Sequence, residues 1–125
     1  ISNPQATLNT SNYTTTTITA VASVAGTVST IEINPTLDSQ YVVYGAVVTN
    51  MDSSDAATFQ IVGCLAGPVY SGGGPTIRVL ANAASVVLPT SITPYLISAT
   101  GYNLCVLGLA AADSSAAITV TYRLE

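Results

Sequence analysis

The stretch Gln40–Thr49, reading Gln-Tyr-Val-Val-Tyr-Gly-Ala-Val-Val-Thr, constrains the fold more than any other part of the chain. β-branched and aromatic residues at this density suit a pleated strand, and successive strand side chains point to opposite faces. Strict alternation places Tyr41, Val43, Gly45 and Val47 on one face and Val42, Tyr44, Ala46 and Val48 on the other. Both faces are apolar. A lone antiparallel sheet keeps one face in water and shows polar residues there. This strand is therefore expected to be covered twice, with the second cover supplied by an opposing sheet or by another subunit.

The remaining segments read the same way. Tyr13–Val21 and Thr27–Ile33 are rich in Thr, Val and Ile, and Asn34-Pro35 ends the second because proline cannot donate to a ladder. Asn50–Asp55 reads as a hairpin turn between the central strand and Ala56–Cys64. Gly67–Pro75, with Gly72-Gly73-Gly74-Pro75, is a loop whose glycines tolerate positive φ. Short strands follow at Thr76–Leu80, Ala84–Leu88 and Tyr95–Ala99, punctuated by Pro89 and Pro94. Tyr102–Ala110 is again apolar on both faces and is expected to lie beside the central strand in the middle of a sheet. Ala117–Glu125 alternates Ile118, Val120, Tyr122 and Leu124 with polar residues. About eight short strands and no helical period predict an all-β fold, an antiparallel β-sandwich of jelly-roll type.

A chain of 125 residues fits one domain. The expected organisation is an N-terminal arm over residues 1–11 and a single β-sandwich over residues 12–125. The arm holds Pro4, Asn3 and Asn9 and has no usable periodicity, and Ile1 in place of a methionine implies a leader that was removed or lies upstream. Asn9 and Asn12 match the N-glycosylation pattern, which arises often by accident in a chain this rich in Ser and Thr.

Charge limits the choice of partner. Charged residues make up 6% of the sequence, against about a quarter in ordinary soluble domains. The net charge is −4, and Arg78 and Arg123 are the only cations, so a nucleic-acid backbone has almost nothing to bind. With 49% hydrophobic residues, such a chain makes a poor free monomer and is expected to work as a homo-oligomer. No apolar run reaches the ~18 residues of a membrane-spanning helix. The longest, Leu104–Ala112, stops at Asp113.

Candidate chemistry is sparse. Asn50, Asp52 and Asp55 are weak candidates for a Ca²⁺ site, but their spacing does not match a calcium loop and these residue types are what turns prefer. Cys64 and Cys105 fall on two interior strands. If those strands face each other across the sandwich, a disulfide is open to them; two buried free thiols acting as small hydrophobes are the simpler reading. There is no His to act as base and no Lys for a Schiff base, and the acids Glu32, Asp38, Asp52, Asp55, Asp113 and Glu125 fall mostly in turns or at ends. The expectation is a protein that is not an enzyme and holds no cofactor. Gly72–Gly74 lacks the Lys and Ser/Thr of a phosphate cradle. Among the tyrosines, Tyr70 and Tyr95 are the loop-adjacent pair on which a sugar-stacking platform would have to rest.

The order of Tyr41–Thr49, Asn50–Asp55, Ile77–Leu80, the turn Ala81–Ser85 into Val86–Pro89, Gly101–Val106 and the closing Ile118–Arg123 resembles small jelly-roll structural proteins of viruses and bacteriophages, of the head-decoration and minor-capsid kind. The resemblance covers about two thirds of the chain and rests on pattern. It implies a non-enzymatic coat subunit on a virion surface, commonly a trimer, with a capsid or other coat protein as its partner. The residues expected at its assembly interface are Tyr41, Val43, Tyr44, Leu107 and Leu109. A subunit of an extracellular filament or surface layer, built by strand addition, explains the same composition. A carbohydrate-binding module is the third reading.

Overall fold

A computed structural model describes residues 13–66, 69–71, 73–110 and 113–125. The arm at 1–11, Asn9 and Asn12 as glycosylation candidates, and Gly72 of the glycine-rich loop lie outside the described residues. The strands are β1 (Thr14–Ala22), β2 (Thr27–Glu32), β3 (Tyr41–Asn50), β4 (Ala57–Leu65), β5 (Val69–Ser71), β6 (Thr76–Val79), β7 (Ser85–Leu88), β8 (Leu96–Ile97), β9 (Asn103–Ala110) and β10 (Ser114–Leu124).

They form two antiparallel sheets. The first has the order β1-β10-β3-β7, with β8 also paired to β3; the second has the order β2-β9-β4-β5, with β6 also paired to β4. β7 and β8 share one edge position of the first sheet, being partners of Ala46–Thr49 and of Val42–Val43. β5 and β6 likewise share one edge position beside β4. Eight positions thus hold ten strands, because Pro89–Pro94 breaks one edge and the glycine-rich loop breaks the other. Along the chain these positions alternate between sheets, except that β5 and β6 follow β4 within the second. That winding is a jelly roll.

The winding corrects two expectations from the sequence. Asn50–Asp55 is not a hairpin: β3 and β4 lie in different sheets, and the segment is an arch that carries the chain across the sandwich. Buried Asn50 holds the arch shut. Its Nδ2 donates to the carbonyls of Asp55 (2.9 Å) and Val79 (3.1 Å), and its Oδ1 accepts the amide of Asp52 (2.9 Å). Nor does β9 lie beside β3. Each is central in its own sheet, β3 flanked by β10 and by β7 and β8, β9 by β2 and β4. Two strands of equal apolarity pack across the core as readily as side by side.

A third correction concerns β3 itself. Its register with β10 slips by one residue, Gly45 lying opposite Thr121 but Val43 opposite Tyr122, so Tyr44 is the extra residue of a β-bulge. The bulge reverses the phase of the strand. Tyr41 and Val43 before it and Ala46 and Val48 after it all enter the core, contrary to strict alternation. Val47 and Thr49 then point outward, at the surface. The strand remains apolar on both sides even so, with Val42 and Tyr44 buried on the outer side of the sheet.

The core between the sheets is filled by Val43, Val48, Ile118 and Val120 from the first and Phe59, Ile61, Leu104 and Val106 from the second, each nearly or wholly sealed from solvent. Each such side chain contributes about 1.5–3 kcal/mol of burial. At Gly108 of β9 the second sheet packs tightly against β1. A Cβ there would lie 2.6 Å from the carbonyl oxygen of Val21 and 2.9 Å from Cα of Ala22, both backbone atoms of β1. Gly108→Ala should therefore destabilise the domain by about 1–3 kcal/mol, the range for overpacking a filled site. Gly73→Ala, where an added methyl meets nothing within 4 Å, should leave the urea midpoint nearly unchanged.

Candidate assembly surface

The outward faces of both sheets carry hydroxyl and apolar side chains in different arrangements. On the first sheet, Thr15 and Thr17 of β1 stand opposite Thr121 and Thr119 of β10, with hydroxyl pairs at 3.4 and 2.8 Å. Thr49 and Ser85 make a similar pair at 2.8 Å between β3 and β7. Between and beside these hydroxyls the same face exposes Val21, Val47 with its partner Val87, and Ile97, so it mixes hydroxyls with apolar side chains.

The second sheet presents an apolar outer face. Because Leu104 and Val106 enter the core, Cys105, Leu107 and Leu109 of β9 point outward. The ladders set Val28 of β2 and Gln60 of β4 on either side of Leu107, Thr30 and Val62 on either side of Cys105, and Thr58 beside Leu109. Leu109 is 44% exposed and Val28 39%. Tyr70 of β5, paired with Cys64, is 40% exposed. Gln60, Val62, Tyr70, Ser71, Gly73 and Leu107 line a shallow groove of about 200 Å³. Gln60 does not reach freely into it, since its Nε2 donates to the carbonyl of Gly74 at 3.0 Å.

Cys64 and Cys105 form a disulfide on this outer face, with Cα atoms 5.9 Å apart. Two of the sequence expectations change here. The sulfurs are bonded rather than free, and they join neighbouring strands β4 and β9 of one sheet rather than facing strands across the sandwich. Together with Val62 they make a small buried cluster separate from the main core. Position on the same outward face, one diagonal step apart in the ladder, brings the two Cβ atoms together.

The residues expected at an interface divide among three places. Tyr41 (3% exposed) and Val43 (0%) belong to the chain's own core and cannot serve a partner, a consequence of the bulge. Tyr44 is on the outer side of the first sheet but is buried there by local contacts. Its ring stacks on Tyr13 at 4.6 Å between centroids, its hydroxyl donates to Oε2 of Glu125 at 2.7 Å, and the Arg123 guanidinium lies 5.8 Å from its ring centre. Arg123 also pairs with Glu125 at 3.1 Å. Burial, then the bond to Glu125, push the Tyr44 phenol up to about 12, while Arg123 pulls the other way. Leu107 and Leu109 alone of the five face out from the second sheet. Sequence reasoning missed Val28, Val62 and Tyr70 as their neighbours, because cross-strand register is a long-range property.

The weak cation candidates are turn-builders. Asp52 Oδ1 accepts the amides of Ser54 (2.8 Å) and Asp55 (2.9 Å), bonds that hold its carboxyl below the ordinary range, and Asn50 spends its amide on the arch. Tyr70 and Tyr95 do not share a platform. Tyr95 joins the first sheet through its amide bond to the carbonyl of Val43 and donates its hydroxyl to the carbonyl of Pro89 at 2.6 Å, whereas Tyr70 belongs to the second sheet.

No family model matches the sequence, and no curated protein is similar to it. Among solved structures the chain is similar to a crystal structure of PirA, with 12% identity over 97% of this chain and 100% of that one at a TM-score of 0.45. It is also similar to a Bacillus endospore appendage protein, described as one of a family of disulfide-linked pili, with 18% identity over 90% and 88% at a TM-score of 0.41. A chain of infectious bursal disease virus, Gx strain, gives 12% identity over 88% of this chain and 31% of that one at 0.32. Overlaps this loose carry no argument about what the chain does.

Two measurements check the geometry. Breaking the disulfide by Cys64→Ser with Cys105→Ser should lower unfolding free energy by about 4 kcal/mol, the chain-entropy value for a closed loop of this size, with the β-type circular dichroism retained. Tyrosine ionises to an anion that the Tyr44 site disfavours. The stability it contributes is therefore intact below the ordinary value of 10.0 and is lost as pH rises through about 12. In a spectrophotometric titration, Tyr44→Phe should remove one late-ionising phenol and flatten the loss of stability between those values.

Proposed function

We propose that this chain is a non-enzymatic structural subunit that works by associating with copies of itself, as a decoration or minor-capsid subunit on a virion surface. The observation that carries the reading is the outer face of the second sheet. Val28, Leu107, Leu109 and Tyr70 form a half-open apolar surface on a chain with almost no charge to keep such a surface apart from its like. The acids support it as well: Asp52 shapes a turn and Glu125 holds Tyr44 and Arg123, so these carboxylates serve the fold rather than a substrate. A disulfide suits an oxidising, extracellular or particle-surface setting.

A subunit of an extracellular filament or surface layer is the second reading, favoured by the β1 edge of the first sheet, to whose outer side no strand pairs among the described residues. The two differ in closure, since a ring or trimer on a capsid closes whereas a filament needs a contact that repeats without closing. Negative-stain microscopy of native material separates them: particles support the first and continuous threads the second. In sedimentation of the purified chain, self-association should appear at micromolar concentration. Leu109→Asp should weaken it at least tenfold by placing a charge in the apolar face. A wild-type chain that stays monomeric at millimolar concentration would remove the proposal.

A further inference from the structure

The two sheets have four edges, and three of them are interrupted. The β7 and β8 edge is broken by the segment between Pro89 and Pro94, whose Ser91 amide turns inward to the carbonyl of Tyr44. The β5 and β6 edge is broken by the glycine-rich loop with Pro75 and carries Arg78. The β2 edge has a register slip between Thr30 and Glu32 and ends on a charge. Prolines, charges, bulges and short segments are the devices by which proteins keep sheet edges from pairing with other chains.

β1 has none of them. Its register with β10 runs unbroken through nine pairs from Thr14↔Tyr122 to Ala22↔Ser114, and the strand Thr-Thr-Thr-Thr-Ile-Thr-Ala-Val-Ala contains neither charge nor proline. Thr14, Thr15, Thr17 and Thr19 are exposed. Among the described residues no strand pairs with its outer side. An antiparallel strand offers the amides and carbonyls of alternate residues to such an outer side. Among the described residues only the far end is engaged, where Val21 and Ala22 pass close to Gly108 and Ser23, just past the strand, bridges to Leu109.

We infer that the β1 edge pairs with the β1 edge of a second copy, antiparallel about a two-fold axis near Thr17, joining the two first sheets into one continuous sheet. The choice of a second copy follows from the strand itself. With the axis at Thr17, Thr15 of one copy stands opposite Thr19 of the other, so threonine faces threonine on the outer side. That is the same pairing β1 already makes with Thr119 and Thr121 of β10. The contact brings no like charges together on a chain of net charge −4, a condition that a two-fold contact through the acidic turn at Asp52 and Asp55 would not meet. Two-fold contacts of this kind are the commonest in homo-oligomers, and strand addition supplies main-chain hydrogen bonds without side-chain specialisation.

The inference names the contact through which the proposed self-association begins, and so rests on that reading. It is tested on the full chain by amide hydrogen exchange across a dilution series, alongside sedimentation, for the wild type, Thr17→Lys and Thr17→Glu. Protection of the Thr14–Thr19 amides should rise with wild-type concentration. Each variant should lose that rise and associate at least tenfold more weakly, and a one-to-one mixture of the two variants should restore both, because lysine then faces glutamate. Protection that does not change with dilution would mean that the chain's own residues cover the edge and would overturn the inference. So would self-association with the edge amides unprotected, or variants that keep the wild-type rise; each leaves the structural-subunit reading standing. Absence of association at every concentration would remove that reading itself.

Discussion

The one-residue slip between β3 and β10 decides what enters the core. Before it, Tyr41 and Val43 face inward; after it, Ala46 and Val48 do, and Tyr122, Val120 and Ile118 on β10 follow the same line. Without the slip, Gly45 and Val47 would face inward in place of Ala46 and Val48, putting a glycine where an alanine now fills the core. A register error of one residue exchanges the two faces of a strand; here a built-in shift performs that exchange midway along a single strand. The close approach of Thr90 to Gly45, where an added Cβ would meet its Oγ1 at 3.0 Å, leaves little room for a larger residue at the shift.

Once the core is assigned, the outward faces follow. The first sheet sets threonines, whose β-branched side chains suit a strand and whose hydroxyls find one another across the ladder, beside exposed Val21, Val47, Val87 and Ile97. Its outer side also carries the Tyr13, Tyr44, Arg123 and Glu125 cluster, in which both arginine and glutamate are used up locally. The second sheet spends its outer face on Leu107, Leu109, Val28 and the disulfide with Val62. A sandwich of this size needs one apolar interior, and these outer side chains lie beyond it, half-buried by their strand neighbours.

Long, uncharged strands carry the familiar hazard of unintended pairing, and the molecule answers it unevenly. Prolines break one edge, a glycine-rich loop a second, and a slip with Glu32 a third. β1 is neutral, and its nine pairs with β10 run without a slip. Among the described residues it is the edge that carries none of these devices.

The strand positions and their apolar patterning were legible in the sequence, because β-branched runs separated by Gly, Pro and Asn are local signals. Residues 41–50 and 103–110 fall where their composition puts them, whereas β10 begins at Ser114, three residues before the expected Ala117. The short β5 was missed, as three residues in a glycine-rich setting carry no periodicity. What only the tertiary structure decided was which strands share a sheet, which side of β3 is the inside, and whether Cys64 meets Cys105. Each of these depends on pairing between residues far apart in the chain, and a bulge or a sheet-crossing arch leaves no local mark beyond an asparagine or a glycine. The composition determined that the surface would be neutral and greasy; the register determined where.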